Sequence, residues 1–196
     1  DVPQNTVAIH SGSIAATLAP GGDDVVALMR RFQPSVTITY DPNVRPTLMG
    51  MPLTAAPRIE ELVMLADVVK VSDEDLAWLY PHRAPEVSAA LWQKRQGSIV
   101  VMTRGGEGAV AWYPGGTVEV AAPPTEVADT VGAGDSFMGA LIDGLWSADL
   151  LGGARRAALR AIDADALTAV LERCTKVAAI TVSRPGANPP RLDELD

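Results

Sequence analysis

The sequence predicts an α/β fold, a mostly parallel sheet covered by helices on both faces. Two observations carry this reading. Short β-branched or apolar runs alternate with stretches of helical spacing, and the intervals between successive strands are long enough for helical crossovers. A third observation fits a sizeable core: hydrophobic residues make up 47% of the 196-residue chain.

Taken in order, Thr6–His10 reads as a short apolar strand and Asp23–Phe32 as a helix with Val25, Val26, Leu28 and Met29 on its apolar side. Val36–Tyr40 is the next strand, closed by the turn Asp41-Pro42-Asn43. Pro57–Leu65 reads as helix, Val68–Val71 as strand, and Asp73–Leu79 and Pro85–Gln96 as helices. Ser98–Thr103 has the composition of a buried strand, and Gly108–Tyr113 with Thr117–Val120 suggests a hairpin around Pro114-Gly115-Gly116. The last two helices are expected at Gly134–Trp146 and Ala164–Ala179. Ser147–Ala161 is expected as a loop or short-helix excursion between them.

Composition excludes several classes of function. A formal net charge of −8 and a pI of about 4.7 argue against a general nucleic-acid binder. No unbroken apolar run is long enough to cross a membrane, and no secretory signal is seen at the start. Cys174, the single cysteine, lies inside a helical pattern and reads as a small core residue, which points to a reducing cytoplasm. One cysteine and two histidines give no zinc spacing.

The most informative stretch is Asp129-Thr-Val-Gly-Ala-Gly-Asp135, followed by Ser-Phe-Met-Gly-Ala-Leu. A tight Gly132-Ala133-Gly134 turn opens into an apolar helix, so unpaired backbone N–H groups and the positive end of the helix dipole face one spot. That makes an anion site. A carboxylate at Asp135 would repel the ligand the turn attracts, unless it takes a proton from a nucleophile attacking a bound phosphate. The bland reading is Asp135 as a helix cap.

The block resembles the signature of the ribokinase-like sugar kinases, the phosphofructokinase B family. The resemblance implies a ribokinase-like three-layer sandwich and phosphorylation of a sugar hydroxyl with ATP and Mg2+. Asp135 falls on the position of the catalytic base, where it also meets the substrate, and Gly132, Ala133 and Gly134 fall on the anion hole. The partners implied are a small-molecule sugar and ATP.

Further motifs align with that resemblance. Thr103-Arg104-Gly105-Gly106-Glu107-Gly108 follows a strand and resembles the family's ATP-contacting loop, with Thr103, Gly105, Gly106 and Gly108 as contacts; its plain reading is a glycine-rich hairpin turn. Ser72 with Asp75 reads as a variant capping box. The same residues align with the family's Asn-x-x-Glu motif, with Ser72 toward the nucleotide and Asp75 toward Mg2+. Asp41-Pro42-Asn43-Val44-Arg45 sits at the carboxyl end of a strand, where open α/β sheets bind ligands. Its plain reading is an Asx turn; a similar block faces the site in the fructokinase and 2-keto-3-deoxygluconate kinase branches, which implies sugar or phosphate contacts from Asp41, Asn43 and Arg45. The tail Thr181–Asn188 resembles the segment that, in relatives, holds a monovalent cation such as K+. By position its ligands are Asp129, Val131, Thr181, Arg184 and Gly186, although Pro190 stands where ribokinase offers a hydroxyl.

Other readings of the glycines fail on the residues. None of Lys70, Lys94 and Lys176 follows a glycine, so there is no Walker loop, and Phe137 stands where a dinucleotide fingerprint needs glycine. The resemblance also implies that roughly a further hundred residues precede this segment in relatives, by usual domain lengths. Those residues supply the first strands, a small β-lid and a Gly-Gly sugar-binding motif. The expectation is therefore a C-terminal portion of one kinase domain: the nucleotide half intact, the sugar half open, and a homodimer formed through the absent lid. Fructokinase is the first expectation for function. A 2-keto-3-deoxygluconate kinase or a catalytically silent binding fragment are the alternatives.

Overall fold

A computed structural model describes residues 2–195. Six strands form one sheet in the order β1-β2-β3-β4-β5-β6: β1 Ala8–Gly12, β2 Thr37–Asp41, β3 Val68–Ser72, β4 Ile99–Thr103, β5 Ala109–Tyr113 and β6 Gly116–Val120. The first four are parallel, and β5 and β6 close the sheet as an antiparallel hairpin. Helices α1 (Gly21–Phe32), α3 (Pro52–Leu65), α4 (Asp73–Leu79) and α5 (Pro85–Gln96) cover one face, and α6 (Ala133–Ser147), α7 (Arg156–Arg160) and α8 (Ala164–Val182) the other. A short α2, Pro46–Met49, leads into α3.

Strand periodicity assigns each side chain to a layer. Ile38 and Tyr40 of β2, Val69 and Val71 of β3, and Val100 and Met102 of β4 join the core under α1–α5. Val68, Ile99 and Val101 join the core under α6–α8. Because both faces are buried, these strands are nearly continuous apolar runs rather than alternating ones. The same parity turns Thr37, Thr39, Asp41 and Lys70 toward the α6–α8 layer. All four are buried.

Two expectations are refined. The helix expected at Pro57 begins at Pro52, which takes the first-turn position that suits proline, and Pro57 lies inside it. One lost internal hydrogen bond is tolerated there because Ala55, Ile59, Leu62 and Val63 bury the helix face. The apolar N-terminal strand lies at the sheet edge: β1 pairs with β2, and among the described residues nothing pairs with its other side. Its two faces are nonetheless both used, Ile9 packing against one core and Ala8 against the other.

A buried ion pair locks the α6–α8 layer to the opposite ends of the strands. Arg156 on α7 donates through Nε to Asp67 Oδ1 at 2.6 Å and through Nη2 to Val36 O at 2.8 Å, while Asp67 also accepts the Ile38 N–H at 3.0 Å. Asp67 lies just before β3, so this clamp stands at the amino ends of the strands and leaves the carboxyl ends free.

Candidate active site

The glycine turn opens α6 at the carboxyl end of the sheet. Gly132 caps the helix with φ +80°, and a Cβ built there would lie 2.8 Å from the Ala187 Cβ of the tail. A side chain is thus excluded twice, by conformation and by space. Among the described residues the N–H groups of Gly134 and Asp135 have no acceptor, whereas Ala133 N–H makes a long bond of 3.3 Å to Thr130 O. The turn therefore leaves two backbone donors free at the start of α6, with the Ala133 donor partly engaged. The Asp135 side chain is exposed at the third helical position, with no partner among the described residues.

Gly134 and Ala133 also line a cavity of about 330 Å3, which they share with Thr103, Gly105, Gly106 and Gly108. The glycine-rich loop after β4 and the signature turn thus meet at one site. Its remaining wall is largely apolar: Phe137 from α6, Ala178, Ala179 and Val182 from α8, and the extended segment containing Pro123 and Val127. These wall residues were not legible as a binding surface. Small residues on one face of α8 were the available signal, and they look the same as ordinary helix packing.

Ser72 does not line this cavity. Its hydroxyl accepts the Asp75 N–H at 3.0 Å, and Asp75 Oδ2 accepts the Ser72 N–H at a long 3.4 Å, so the capping box predicted from sequence is formed. Asp75 Oδ1 accepts the Val44 N–H at 3.0 Å, which ties the start of α4 to the loop after β2. Among the described residues no group of three or more acidic, histidine or cysteine side chains is placed to hold a metal ion.

That loop presents Arg45 and shelters Asp41. Arg45 is exposed and its Nη1 donates to Asn43 Oδ1 at 2.6 Å and Val44 O at 2.9 Å, so the guanidinium is folded back onto its own loop. Asn43 is held in a left-handed turn, φ +38°, its carbonyl accepting from the Ser13 hydroxyl at 3.1 Å. Asp41 is 3% exposed; Oδ1 accepts the Asn43 N–H at 3.1 Å and Oδ2 lies 2.6 Å from Lys70 Nζ. Burial pushes its carboxyl above the usual range, and the Lys70 ammonium pulls against that shift. Of the three residues expected to face a sugar, the structure thus brings Asn43 and Arg45 to the surface and turns Asp41 inward.

Three of the five expected cation ligands are gathered by one carboxylate. Asp129 Oδ1 accepts the Val131 N–H at 3.0 Å and Oδ2 accepts the Gly186 N–H at 2.9 Å; these amides hold its pKa below the ordinary value. Thr181 is buried, its hydroxyl donating to Val177 O at 2.8 Å and its carbonyl accepting the Arg184 N–H. The Arg184 side chain turns away to pair with Glu194 at 2.5 Å. Together these bonds pin the tail across the signature turn.

Comparison with known proteins decides the family. The model of the pfkB family carbohydrate kinases matches residues 2–194. The chain belongs to the pfkB carbohydrate kinase family. Within it, a fructokinase of Rhizobium leguminosarum bv. trifolii is 34% identical over 151 residues, covering 77% of this chain and 46% of that protein. A putative sugar kinase of Pyrococcus horikoshii is 27% identical over 197 residues, covering 100% of this chain and 56% of its own. The fructokinase of Xylella fastidiosa with bound ATP superposes with a TM-score of 0.81 at 24% identity, covering 92% of this chain and 56% of that one. Aminoimidazole riboside kinase from Salmonella enterica gives 0.78 at 23%, covering 96% and 61%. The pfkB chain described here therefore spans about half the length of most of the curated relatives it matches. No described helix is long and apolar enough to cross a membrane.

Proposed function

We propose that this pfkB-family chain carries the nucleotide-binding and catalytic half of an ATP-dependent sugar kinase, with fructose as the acceptor. One observation carries the reading: the unpartnered carboxylate of Asp135 directly follows Gly134, a residue with a free backbone amide that lines a largely apolar, glycine-lipped cavity. The ATP base and ribose occupy the slot between the Thr103–Gly108 loop and α8, and the terminal phosphate reaches the Gly134 and Asp135 amides. Asp135 then takes the proton of a sugar hydroxyl as its oxygen attacks phosphorus in line, while the amides stabilise charge on the transferring group. Asn43 and Arg45 are the surface groups of this chain proposed to meet the sugar.

A bound Mg2+ would offset phosphate charge during such a transfer, and an ion of this kind usually asks for only one or two protein carboxylates. Asp75 is the carboxylate proposed to face it, through whatever capacity its two backbone contacts leave. The Asp129–Gly186 region is proposed to hold a monovalent cation, with Asp129 orienting the loop through the Val131 and Gly186 amides. The remaining sugar contacts, a lid and a dimer interface are proposed to belong to the further length that relatives possess.

Fructose is favoured over 2-keto-3-deoxygluconate by the similarity to fructokinases, and the Asp41–Arg45 block is compatible with both. Hydroxyl recognition depends on a few placed polar groups, so the branch is settled only by rates. Turnover of ATP with fructose, 2-keto-3-deoxygluconate, ribose and adenosine, measured on the whole protein under one condition, tests the proposal. A clear preference for ribose or adenosine would overturn the branch. Tight ATP binding without turnover of any sugar would establish the silent binding module instead.

A further inference from the structure

The buried ion pair between Lys70 and Asp41 has no structural necessity. Lys70 stands within the apolar run Val68-Val69-Lys70-Val71, beside Val101 of β4 on one side and the polar Thr39 and Asp41 of β2 on the other, and its side chain is only 5% exposed. Taking an ammonium and a carboxylate out of water is expensive, and apolar residues of similar volume would serve the fold equally well or better. Among the described residues Asp41 is the one acceptor within reach of Nζ, which leaves donors of the ammonium uncommitted.

The position of Nζ explains its presence. Strand parity turns Lys70 toward α6, and a Cβ built on Gly134 would lie 2.9 Å from Nζ, with no other heavy atom within 4 Å. The ammonium therefore lies directly against the glycine whose amide, with that of Asp135, forms the anion hole. Glycine at 134 is required for this approach: any side chain would push the cation away. The field of this charge reaches across the mouth of the site. His10, in the middle of the edge strand β1, is held below its ordinary pKa first by desolvation and then by Lys70, while Asp135 acts on it in the opposite sense.

We propose that Lys70 is the cation of the phosphoryl site, its ammonium held beneath Gly134 by Asp41 so that it meets oxygens of the transferring phosphate. This rests on the kinase reading above and assigns a further residue to it. Asp41 becomes a positioning residue: it keeps the ammonium in place without touching substrate. The arrangement places one positive charge against the residue preceding Asp135, so that the incoming phosphate does not meet negative charge alone.

The test compares wild type, Asp41→Asn and the double variant Asp41→Asn/Lys70→Met, in which both buried charges are removed together so that neither is stranded. Three quantities are measured on the whole protein: thermal midpoint, sugar kinetics, and the ratio of ADP to ATP dissociation constants. The double variant is expected to fold, to lose about 10²–10³-fold in kcat with little change in the sugar KM, and to lower the ADP/ATP ratio about tenfold. Asp41→Asn keeps the ammonium but removes the carboxylate that positions it, so it is expected to lower kcat and the ADP/ATP ratio by less than the double variant, which gives a readout even where the double variant fails to fold. A folded double variant within a few-fold of wild-type kcat, or one with an unchanged ratio, would refute the role of Lys70 and leave the kinase reading standing. A ratio and kcat both unchanged in Asp41→Asn would refute the positioning role of Asp41. A wild-type protein that phosphorylates no sugar would overturn the kinase reading first, and this inference with it.

Discussion

Replacing Asp135 with Asn separates chemistry from structure more cleanly than any other change at this site. The carboxylate is exposed and unpartnered among the described residues, so its removal breaks no hydrogen bond and opens no cavity. Its structural contribution is the interaction of a first-turn acid with the helix dipole, about 0.3–1 kcal/mol. In a domain of this size that corresponds to a fall of roughly 1–4 °C in thermal midpoint. As a general base it contributes about 10²–10⁴-fold to turnover, or roughly 2.7–5.5 kcal/mol of barrier. The two ranges do not overlap, so the outcomes can be told apart. The assay is ADP release with saturating ATP and fructose, alongside ATP affinity by calorimetry. Affinity should hold or improve, because a negative charge beside the phosphate site has been removed. Turnover within a few-fold of wild type would refute the assignment. A loss of more than 10 °C would show instead that Asp135 is a structural cap.

Three further outcomes follow from contacts described above. Gly132→Ala forces a side chain into φ +80° and against Ala187; it should cost about 1–2 kcal/mol from conformation alone, read by chemical denaturation, and an unchanged midpoint would mean the tail does not pack there. Asp67→Ala strands Arg156 among backbone carbonyls and should destabilise the fold by about 3 kcal/mol while leaving the ADP/ATP affinity ratio intact, since the pair lies at the opposite end of the strands. Asp129 has its folded pKa below the ordinary 3.8, so its hold on the tail is fully present above that pH and is lost as pH falls through the lower folded value. Protection of the Gly186 amide, read by NMR as exchange relative to the intrinsic rate at each pH, should fall only below about pH 4; loss of protection already at pH 5 would contradict the assignment.

Much of the architecture was legible because it is local. The runs Val68–Val71 and Ser98–Thr103 are apolar on both faces, and only a doubly covered parallel sheet asks for that. The signature turn was legible for the same reason, since its glycines, helix start and carboxylate are contiguous. Pro57 misplaced a helix start because a proline usually opens a helix, and Pro52 had already done so. The role of Lys70 was hidden differently. Its partner Asp41 lies on another strand, and only the lateral order of β2 and β3 brings the two carboxyl ends together. A lone lysine within a valine run was the visible trace of that pairing. Asp41 shows the reverse: an Asp at a strand end reads as a ligand contact, and the fold buries it with its oxygens accepting from Lys70 and the Asn43 amide, a partnership no local pattern displays.

The location of the site follows from the topology. Strands β1 to β4 step across the sheet in a single direction, and crossovers of one hand that always step the same way lie on one face. Helices α1 and α3–α5 accordingly share a single core, and the opposite face is left bare by the first half of the chain. Only the segment after the β5–β6 hairpin remains to cover it. That segment must return across the carboxyl ends before α6 can lie down on the sheet, and the return is where Asp129–Gly134 turns. The start of α6 therefore opens beside the ends of β2 and β3, from which Asp41 and Lys70 project to the same face. An anion hole supplied by one part of the chain is thus set against a cation supplied by another. Exchanging Gly134 for alanine would test that meeting directly: the added carbon has only the Lys70 ammonium to displace. Turnover should fall with little loss of stability, and an alanine variant with wild-type turnover would show that the ammonium and the turn act independently.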